Sequence, residues 1–268
     1  MISFPSCKIN LGLQVLSKRA DGYHNLETCF YPVPWNDVLE IVHAKETKLT
    51  VTGISIPGED SSNMVYKAFQ LLKSDFSIDP VEIHLHKIIP HGAGLGGGSS
   101  DATHALVVLN RLFLINLTNV QLKSYALKLG SDCPFFLESA PMVATGRGEV
   151  LSPIDLNLSG ITLVIIKPDI NVSTAGAYSG IVPRVPEVDI SSILKGHIKN
   201  WKELLKNDFE ENVFLKHPVI KRVKAKLYGM GAVYTSMSGS GSAVFGLFES
   251  AIKLEKEFSG MTVWSSVL

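Results

Sequence analysis

Apolar positions recur with two different periods along this chain, and the changes of period lay out its elements. Over residues 7–15 every second position is apolar (Cys7, Ile9, Leu11, Leu13, Val15), while Lys8, Asn10, Gly12 and Gln14 take the other parity. That period predicts a strand with one buried face. The turn pair Asp21-Gly22 follows within Arg19-Ala20-Asp21-Gly22-Tyr23-His24. A strand is expected over 37–42 with a hairpin partner over 48–54, and 81–87 alternates again, with Glu82, His84 and His86 on its polar face. Val65, Ala68, Phe69 and Leu72 are spaced by three and four, predicting a helix over 63–73 with Ser61 and Ser62 as caps. Ala102, Ala105, Leu106, Leu109, Leu112 and Phe113 mark the face of a second helix, and a third, over 118–129, stops at Gly130.

Farther on, strands over 142–166 are separated by the turn Gly146-Arg147-Gly148 and by Pro153. Residues 218–228 form a basic amphipathic helix, and 232–237 and 243–248 flank Ser238-Gly239-Ser240-Gly241-Ser242 as a hairpin. Periodicity is lost over 168–195 among prolines, glycines and serines, where a mobile connection is expected. Strands with segregated helices give an α+β class, and the pattern divides near 150–160 into lobes of 1–155 and 156–268.

Composition narrows the ligand. Lys plus Arg and Asp plus Glu number 25 each, so the chain lacks the broad positive field of a nucleic-acid binder. An anionic ligand must be held locally, by backbone amides, a helix N-terminus or a few lysines. Cys7, Cys29 and Cys133 are odd in number and form no C-x-x-C pair, which argues against a disulfide framework or zinc site and for a reducing compartment. The start, Met1-Ile2-Ser3-Phe4-Pro5, is no signal peptide, and the apolar run at 161–166 is too short to span a bilayer. A soluble, cytoplasmic protein is expected.

The alternation at 81–87 runs into Pro90-His91-Gly92-Ala93-Gly94-Leu95-Gly96-Gly97-Gly98-Ser99-Ser100. Glycine admits positive φ and the close approach of a bulky anion, at an entropic cost that a mere turn incurs once or twice, not five times in seven positions. Serines opening the next helix leave amides outward at the positive end of its dipole, a ready phosphate site. The Walker loop is excluded because no lysine follows the glycines. Gly92, Gly94 and Gly97 satisfy G-x-G-x-x-G in letters only. The preceding strand is half polar, where a dinucleotide loop follows a buried apolar one, and no Asp or Glu occurs between Ala102 and Ser131 to hold a ribose.

The loop from Pro90 to Ala102, with Gly94-Leu95-Gly96-Gly97-Gly98-Ser99-Ser100-Asp101 at its centre, resembles the phosphate loop of the GHMP kinases (galacto-, homoserine, mevalonate and phosphomevalonate kinases). Three further stretches are similar to that family in the same order: Lys8-Ile9-Asn10-Leu11 with the run 19–24, Leu129-Gly130-Ser131-Asp132-Cys133-Pro134-Phe135-Phe136, and the Ser-Gly repeat at 238–242. The resemblance implies a two-lobed GHMP kinase fold, with an N-terminal lobe like domain 2 of ribosomal protein S5 and a ferredoxin-like C-terminal lobe. It also implies ATP as phosphoryl donor, bound by residues 90–100 with Mg²⁺ bridging the phosphates. The run 19–24 narrows the acceptor to a small cytidine diphosphate alcohol of the non-mevalonate isoprenoid pathway.

Residue roles follow from the same resemblance. Asp132 alone reads as a helix N-cap; the resemblance makes it the catalytic base. Lys8 alone reads as a solvated strand residue; the resemblance sets it beside that aspartate, stabilising developing negative charge. Asn10, Tyr23 and His24 fall on substrate positions, with an aromatic face suited to cytosine and a histidine to its hydrogen-bonding edge. Tyr178 matches the aromatic on the base's other side, and Thr174 the alcohol portion. Asn63 and Lys87 fall on adenine-side positions, though each alone is a helix cap and a strand-end lysine. Ser99 or Ser100 hydroxyls with water are suited to the metal. Cys7 and His91 depart from the family's usual alanine and apolar residue, and the chain stops soon after its last strand.

Overall fold

The computed structural model describes residues 1–138, 140–254 and 257–268. The chain runs through strands β1 (Ile2–Ser3), β2 (Ser6–Lys18), β3 (His24–Asn36), β4 (Val38–His43) and β5 (Lys48–Gly53), then helix α1 (Met64–Asp75) and strand β6 (Val81–Lys87). Helices α2 (Gly97–Leu112) and α3 (Asn119–Leu129) follow, then strands β7 (Met142–Thr145), β8 (Val150–Pro153) and β9 (Thr162–Lys167). Five helices come next: α4 (Thr174–Tyr178), α5 (Ile190–Leu194), α6 (Trp201–Leu204), α7 (Phe209–Lys216) and α8 (Pro218–Gly229). Strands β10 (Tyr234–Met237), β11 (Val244–Phe248) and β12 (Thr262–Val267) end the chain. Two compact units alternate along the sequence. One takes residues 1–7, 35–91 and 96–138; the other takes 8–34, 92–95 and the chain from Ala140 onward.

In the first unit a four-stranded sheet has the order β1-β4-β6-β5. The pattern at 81–87 is realised: β6 alternates buried and exposed residues, with Ile83 and Leu85 inside and Glu82, His84 and His86 outside. Its buried face, with Leu39 and Ile41 of β4, packs against Phe69 and Leu72 of α1 and Leu106 and Leu109 of α2. Burying side chains of this size contributes about 1.5–3 kcal/mol each. The expected hairpin of 37–42 with 48–54 does not form. Strand β6 lies between the two, antiparallel to β4 (Val38 opposite His86) and parallel to β5 (Lys48 opposite Glu82). The intervening residues 54–80 carry α1, and such a helical crossover is what joins parallel neighbours.

In the second unit two four-stranded sheets form, with orders β2-β3-β7-β8 and β10-β11-β9-β12. Strand β12 covers the edge of β9 with Val263 opposite Ile166. Val164, Ile166, Val244 and Phe248 pack against Phe209 and Val213 of α7 and Ile220, Val223 and Leu227 of α8. The segment expected to be a mobile connection forms α4 and α5 instead. Ser173 Oγ accepts from Gly176 N (3.0 Å), and Asp189 Oδ1 from Ser192 N (2.7 Å). Both are single-turn helices of five residues, too short to leave a 3.6-residue pattern. Strand β3 also escapes the pattern. Residues 26–30 are buried at every position, so no alternation shows, and Pro32 and Pro34 speak against a strand. Among the described residues no helix is long and apolar enough to cross a membrane.

Candidate active site

The glycine loop is held from both ends within the first unit. Asp37 Oδ1 accepts from the amides of Ile88 (2.5 Å) and Ile89 (2.9 Å), where the chain leaves β6. On the far side, Gly96 takes φ +70° as N-cap of α2, and Ser100 N donates to Gly96 O at 2.9 Å. The amides of Gly97, Gly98 and Ser99 precede the first intrahelical donor, Ser100 N, so they form the donor set that a phosphate takes at a helix start. A Cβ at Gly97 would lie 3.1 Å from Ile89 Cγ2 and 3.4 Å from Lys87 Nζ, whereas one at Gly98 would meet nothing within 4 Å. Gly98 is thus the open rim of the cradle and Gly97 its packed floor. Pro90 is buried; His91 and Gly92 are exposed.

Residues 92–95 belong to the second unit, where the loop meets Lys8 and the Ser-Gly repeat. Lys8 N donates to Leu95 O (2.9 Å) and Ala243 N to Ala93 O (3.1 Å). Gly94, at φ +75°, lies so close to the repeat that a Cβ would fall 2.0 Å from Ser238 O. Its carbonyl accepts from Ser238 Oγ (2.8 Å) and Lys8 Nζ (3.1 Å). Lys8 is not the solvated residue that its position on a strand suggests. It is buried, donating to Asn10 Oδ1 at 2.5 Å, with its ammonium 4.9 Å from the centre of the Phe30 ring. Asn10 Nδ2 in turn donates to Thr28 Oγ1 (3.0 Å), whose hydroxyl donates to Gly12 O (2.6 Å). Asn10 therefore orients Lys8. Asn207, which carried no sequence signal, fixes the repeat by donating from Nδ2 to Met237 O and Gly239 O, both at 2.8 Å.

Asp132 stands at the N-cap position of the 3₁₀ turn Cys133–Leu137, yet its carboxylate makes no capping hydrogen bond. The turn is tied to the helix that follows the glycine loop by Thr103, whose Oγ1 lies 2.9 Å from both Ser99 O and Cys133 O. Asn63 does cap: its Oδ1 accepts from Val65 N (2.9 Å) at the start of α1. Lys87 is no exposed strand-end lysine. Only 3% of its side chain is accessible, and its ammonium pairs with Asp37 and, at 2.7 Å, with Asp101 Oδ2. Burial opposes that charge, but Asp101 and Asp37 outweigh it and hold the lysine above its ordinary pKa. For Asp101 burial wins over the pull of Lys87 and pushes the carboxyl up to about 7.

Around the run 19–24, Asp21 Oδ1 accepts from Tyr23 N (3.1 Å) and pairs with Arg19, which sets the turn and leaves Tyr23 57% exposed. The Arg147 guanidinium lies 5.0 Å from the centre of the Tyr23 ring, a contact unforeseen for a residue read only as part of a turn. His24 stacks on Tyr178 with centroids 4.9 Å apart and planes 16° from parallel, and Tyr178 meets Phe209 edge-on at 4.7 Å. Thr174, the first residue of α4, is exposed. Three predicted substrate residues, Tyr23, His24 and Tyr178, thus present aromatic surface, while Asn10 lies inside. Among the described residues no group of three or more His, Cys, Asp or Glu is arranged to hold a metal. Ser100 Oγ is buried without a hydrogen-bond partner, a hard oxygen of the kind Mg²⁺ takes.

The model for the GHMP kinases N terminal domain matches residues 63–139, and that for the GHMP kinases C terminal matches 189–261. A Methanococcus jannaschii mevalonate kinase shares the fold at a TM-score of 0.70, 12% identity, and coverage of 100% of this chain and 98% of that one. The chain belongs to the GHMP kinase family. Within it, the relatives at high identity are 4-diphosphocytidyl-2-C-methyl-D-erythritol kinases. The one from Cytophaga hutchinsonii is 52% identical over 92% of each chain, and that from Bacteroides thetaiotaomicron 53% identical over 93% of this chain and 92% of its own. A crystal structure of a 4-(cytidine 5'-diphospho)-2C-methyl-D-erythritol kinase superposes with a TM-score of 0.79 at 35% identity, over 92% of this chain and 90% of that one.

Proposed function

We propose that this chain transfers the γ-phosphoryl group of ATP to the 2-hydroxyl of 4-(cytidine 5'-diphospho)-2-C-methyl-D-erythritol, in the non-mevalonate route to isoprenoid precursors. The observation that carries the reading is identity above 50%, along more than nine-tenths of the chain, to kinases named for that substrate. Phosphoryl transfer to an alcohol needs the phosphates held, their charge offset, and the hydroxyl oriented and relieved of its proton. The amides of Gly97, Gly98 and Ser99 hold phosphate oxygens. A serine hydroxyl of the loop, Ser99 or Ser100, would hold Mg²⁺ together with the phosphates and water, and the ion would supply positive charge to offset that of the transferred group. Asp132 accepts the hydroxyl proton as general base. Lys8, its ammonium oriented by Asn10 and Gly94 O, lends positive charge to the developing alkoxide. Tyr23, His24 and Tyr178 receive the cytosine, and Thr174 contacts the alcohol portion.

A coupled assay of ADP release, run in parallel on the cytidine diphosphate alcohol, mevalonate and homoserine, tests this. Turnover is expected on the first alone. Turnover on mevalonate or homoserine alone overturns the substrate and leaves the family standing.

A further inference from the structure

The ion cluster formed by Asp37, Lys87 and Asp101 sits behind the glycine loop. It is buried more deeply than any surface pair: the side chains are 0%, 3% and 3% accessible. Removing three charged groups from water is expensive, and a buried pair is often no more stabilising than apolar residues of equal size. Stability alone is therefore a weak reason for such a cluster, and its connections suggest another. One carboxylate oxygen of Asp37 takes the amides of Ile88 and Ile89, the two residues between β6 and Pro90. Its other oxygen takes the Lys87 ammonium, which continues to Asp101 Oδ2 in the second turn of α2. The same ammonium is the packing neighbour of Gly97, 3.4 Å from where its Cβ would be. Entry strand, loop floor and exit helix are thereby joined through one nitrogen atom. Charge-assisted hydrogen bonds of this kind are short and directional, suited to fixing geometry.

We propose that Asp37, Lys87 and Asp101 are positioning residues that set the spacing between the loop's entry and α2, so that the amides of Gly97 and Gly98 are aligned for phosphate. This rests on the ATP-binding reading above and gives Lys87 a task other than contact with adenine. Asp101 supports it by lying almost wholly inside, 3% accessible, with its Oδ2 on the lysine at 2.7 Å.

The test compares ADP with adenosine, which has no phosphates, by calorimetric titration of the whole chain, alongside kinetics on both substrates. Asp101→Asn and Asp37→Asn keep shape and remove charge; Lys87→Met removes the link. Loss of alignment is expected to weaken ADP binding and raise KM for ATP by about tenfold, the scale of one charge-assisted bond. Adenosine binding and KM for the cytidine diphosphate alcohol should stay within about twofold. Equal weakening for ADP and adenosine would mean that Lys87 touches the base, and would overturn the proposal. So would unchanged ADP affinity in both Asn variants, or parallel loss of every ligand with a fall in Tm. If Lys87→Met does not fold, the two Asn variants decide. A wild-type chain that binds neither ADP nor ATP refutes the kinase reading itself and is told apart by that result.

Discussion

Gly94→Ala adds one methyl group at the point where the glycine loop meets the Ser-Gly repeat. The new carbon would sit 2.0 Å from Ser238 O, and ordinary contact begins near 3.4 Å. Loop or repeat must therefore yield by about 1.4 Å, the difference between those distances. Alanine at φ +75° costs roughly 1–2 kcal/mol by itself. Relieving the overlap also pulls Gly94 O away from Ser238 Oγ and Lys8 Nζ, at about 1 kcal/mol per hydrogen bond. The sum, about 3–4 kcal/mol, lowers Tm by roughly 6–16 °C for a chain of this size. Because Lys8 follows the carbonyl, a shift of this order should cost about a hundredfold in kcat/KM. Differential scanning fluorimetry and the ADP-release assay read the two effects. An alanine variant with Tm within about 1 °C and kcat/KM within about twofold of wild type would refute the reasoning, because the crowding and the Lys8 hydrogen bond could then not be as described.

The neighbouring Gly98→Ala should behave in the opposite way. It sits in helix with open space around it, so stability is expected to rise by roughly 0.5–1 kcal/mol while ATP binding falls, measurable by thermal melts and ADP titration together. Asp132→Asn keeps volume and removes the carboxylate proposed to take the proton; turnover is expected to fall by about a thousandfold with the fold intact by circular dichroism. Tyr178→Ala, which removes the partner of His24, should raise KM for the cytidine diphosphate alcohol by about tenfold and leave KM for ATP unchanged. Burial raises the Asp101 carboxyl to about 7 from an unfolded value near 3.8. Its contribution is therefore fully present below that unfolded value and is lost as pH rises through about 7. Urea midpoints of wild type should consequently fall relative to Asp101→Asn between pH 5 and pH 8, and parallel curves would contradict the assignment.

Most of what could be read in the sequence lies where one face of an element is wet. Strand β2 is the exception, because residues 7–15, expected to have one buried face, are buried at every position. Their period comes from the internal hydrogen-bonded side chains of Lys8 and Asn10 on the second face. Strand β6 announced itself through Glu82, His84 and His86, and α1 and α2 through their apolar stripes, because exposure forces polar residues into a period. Strand β3, buried on both faces over 26–30, has no such constraint and left no pattern. The order of β5 and β6 was unreadable for another reason: direction depends on the crossover helix and not on either strand's own residues. The glycine loop was legible because its backbone demands are extreme, with Gly94 and Gly96 both at positive φ. Lys8, Lys87 and Asp132 were ambiguous as isolated letters. Where each sits is set by partners distant in the chain: Gly94 for Lys8, Asp37 for Lys87, and Thr103 holding the turn that carries Asp132. Asn207 and Arg147 show the same limit, their contacts falling on residues 30 and 124 positions away.

The alternation of the two units along the chain bears on how the protein emerges from the ribosome. The second unit draws on residues 8–34 and 92–95, but its remaining material begins at Ala140 and runs to Leu268. Strand β2, synthesised almost first, takes its contact through Leu13 from Lys206 and Asn207, translated nearly two hundred residues later. At about 5–20 residues per second, that is an interval of roughly ten to forty seconds. During it Leu13 and Val15, which pack into one core with Phe209, Val213 and Ile220, are apolar surface awaiting a partner. The first unit is free to fold in the meantime, whereas Gly94 O, which Lys8 meets early, gains its second donor only when Ser238 is made.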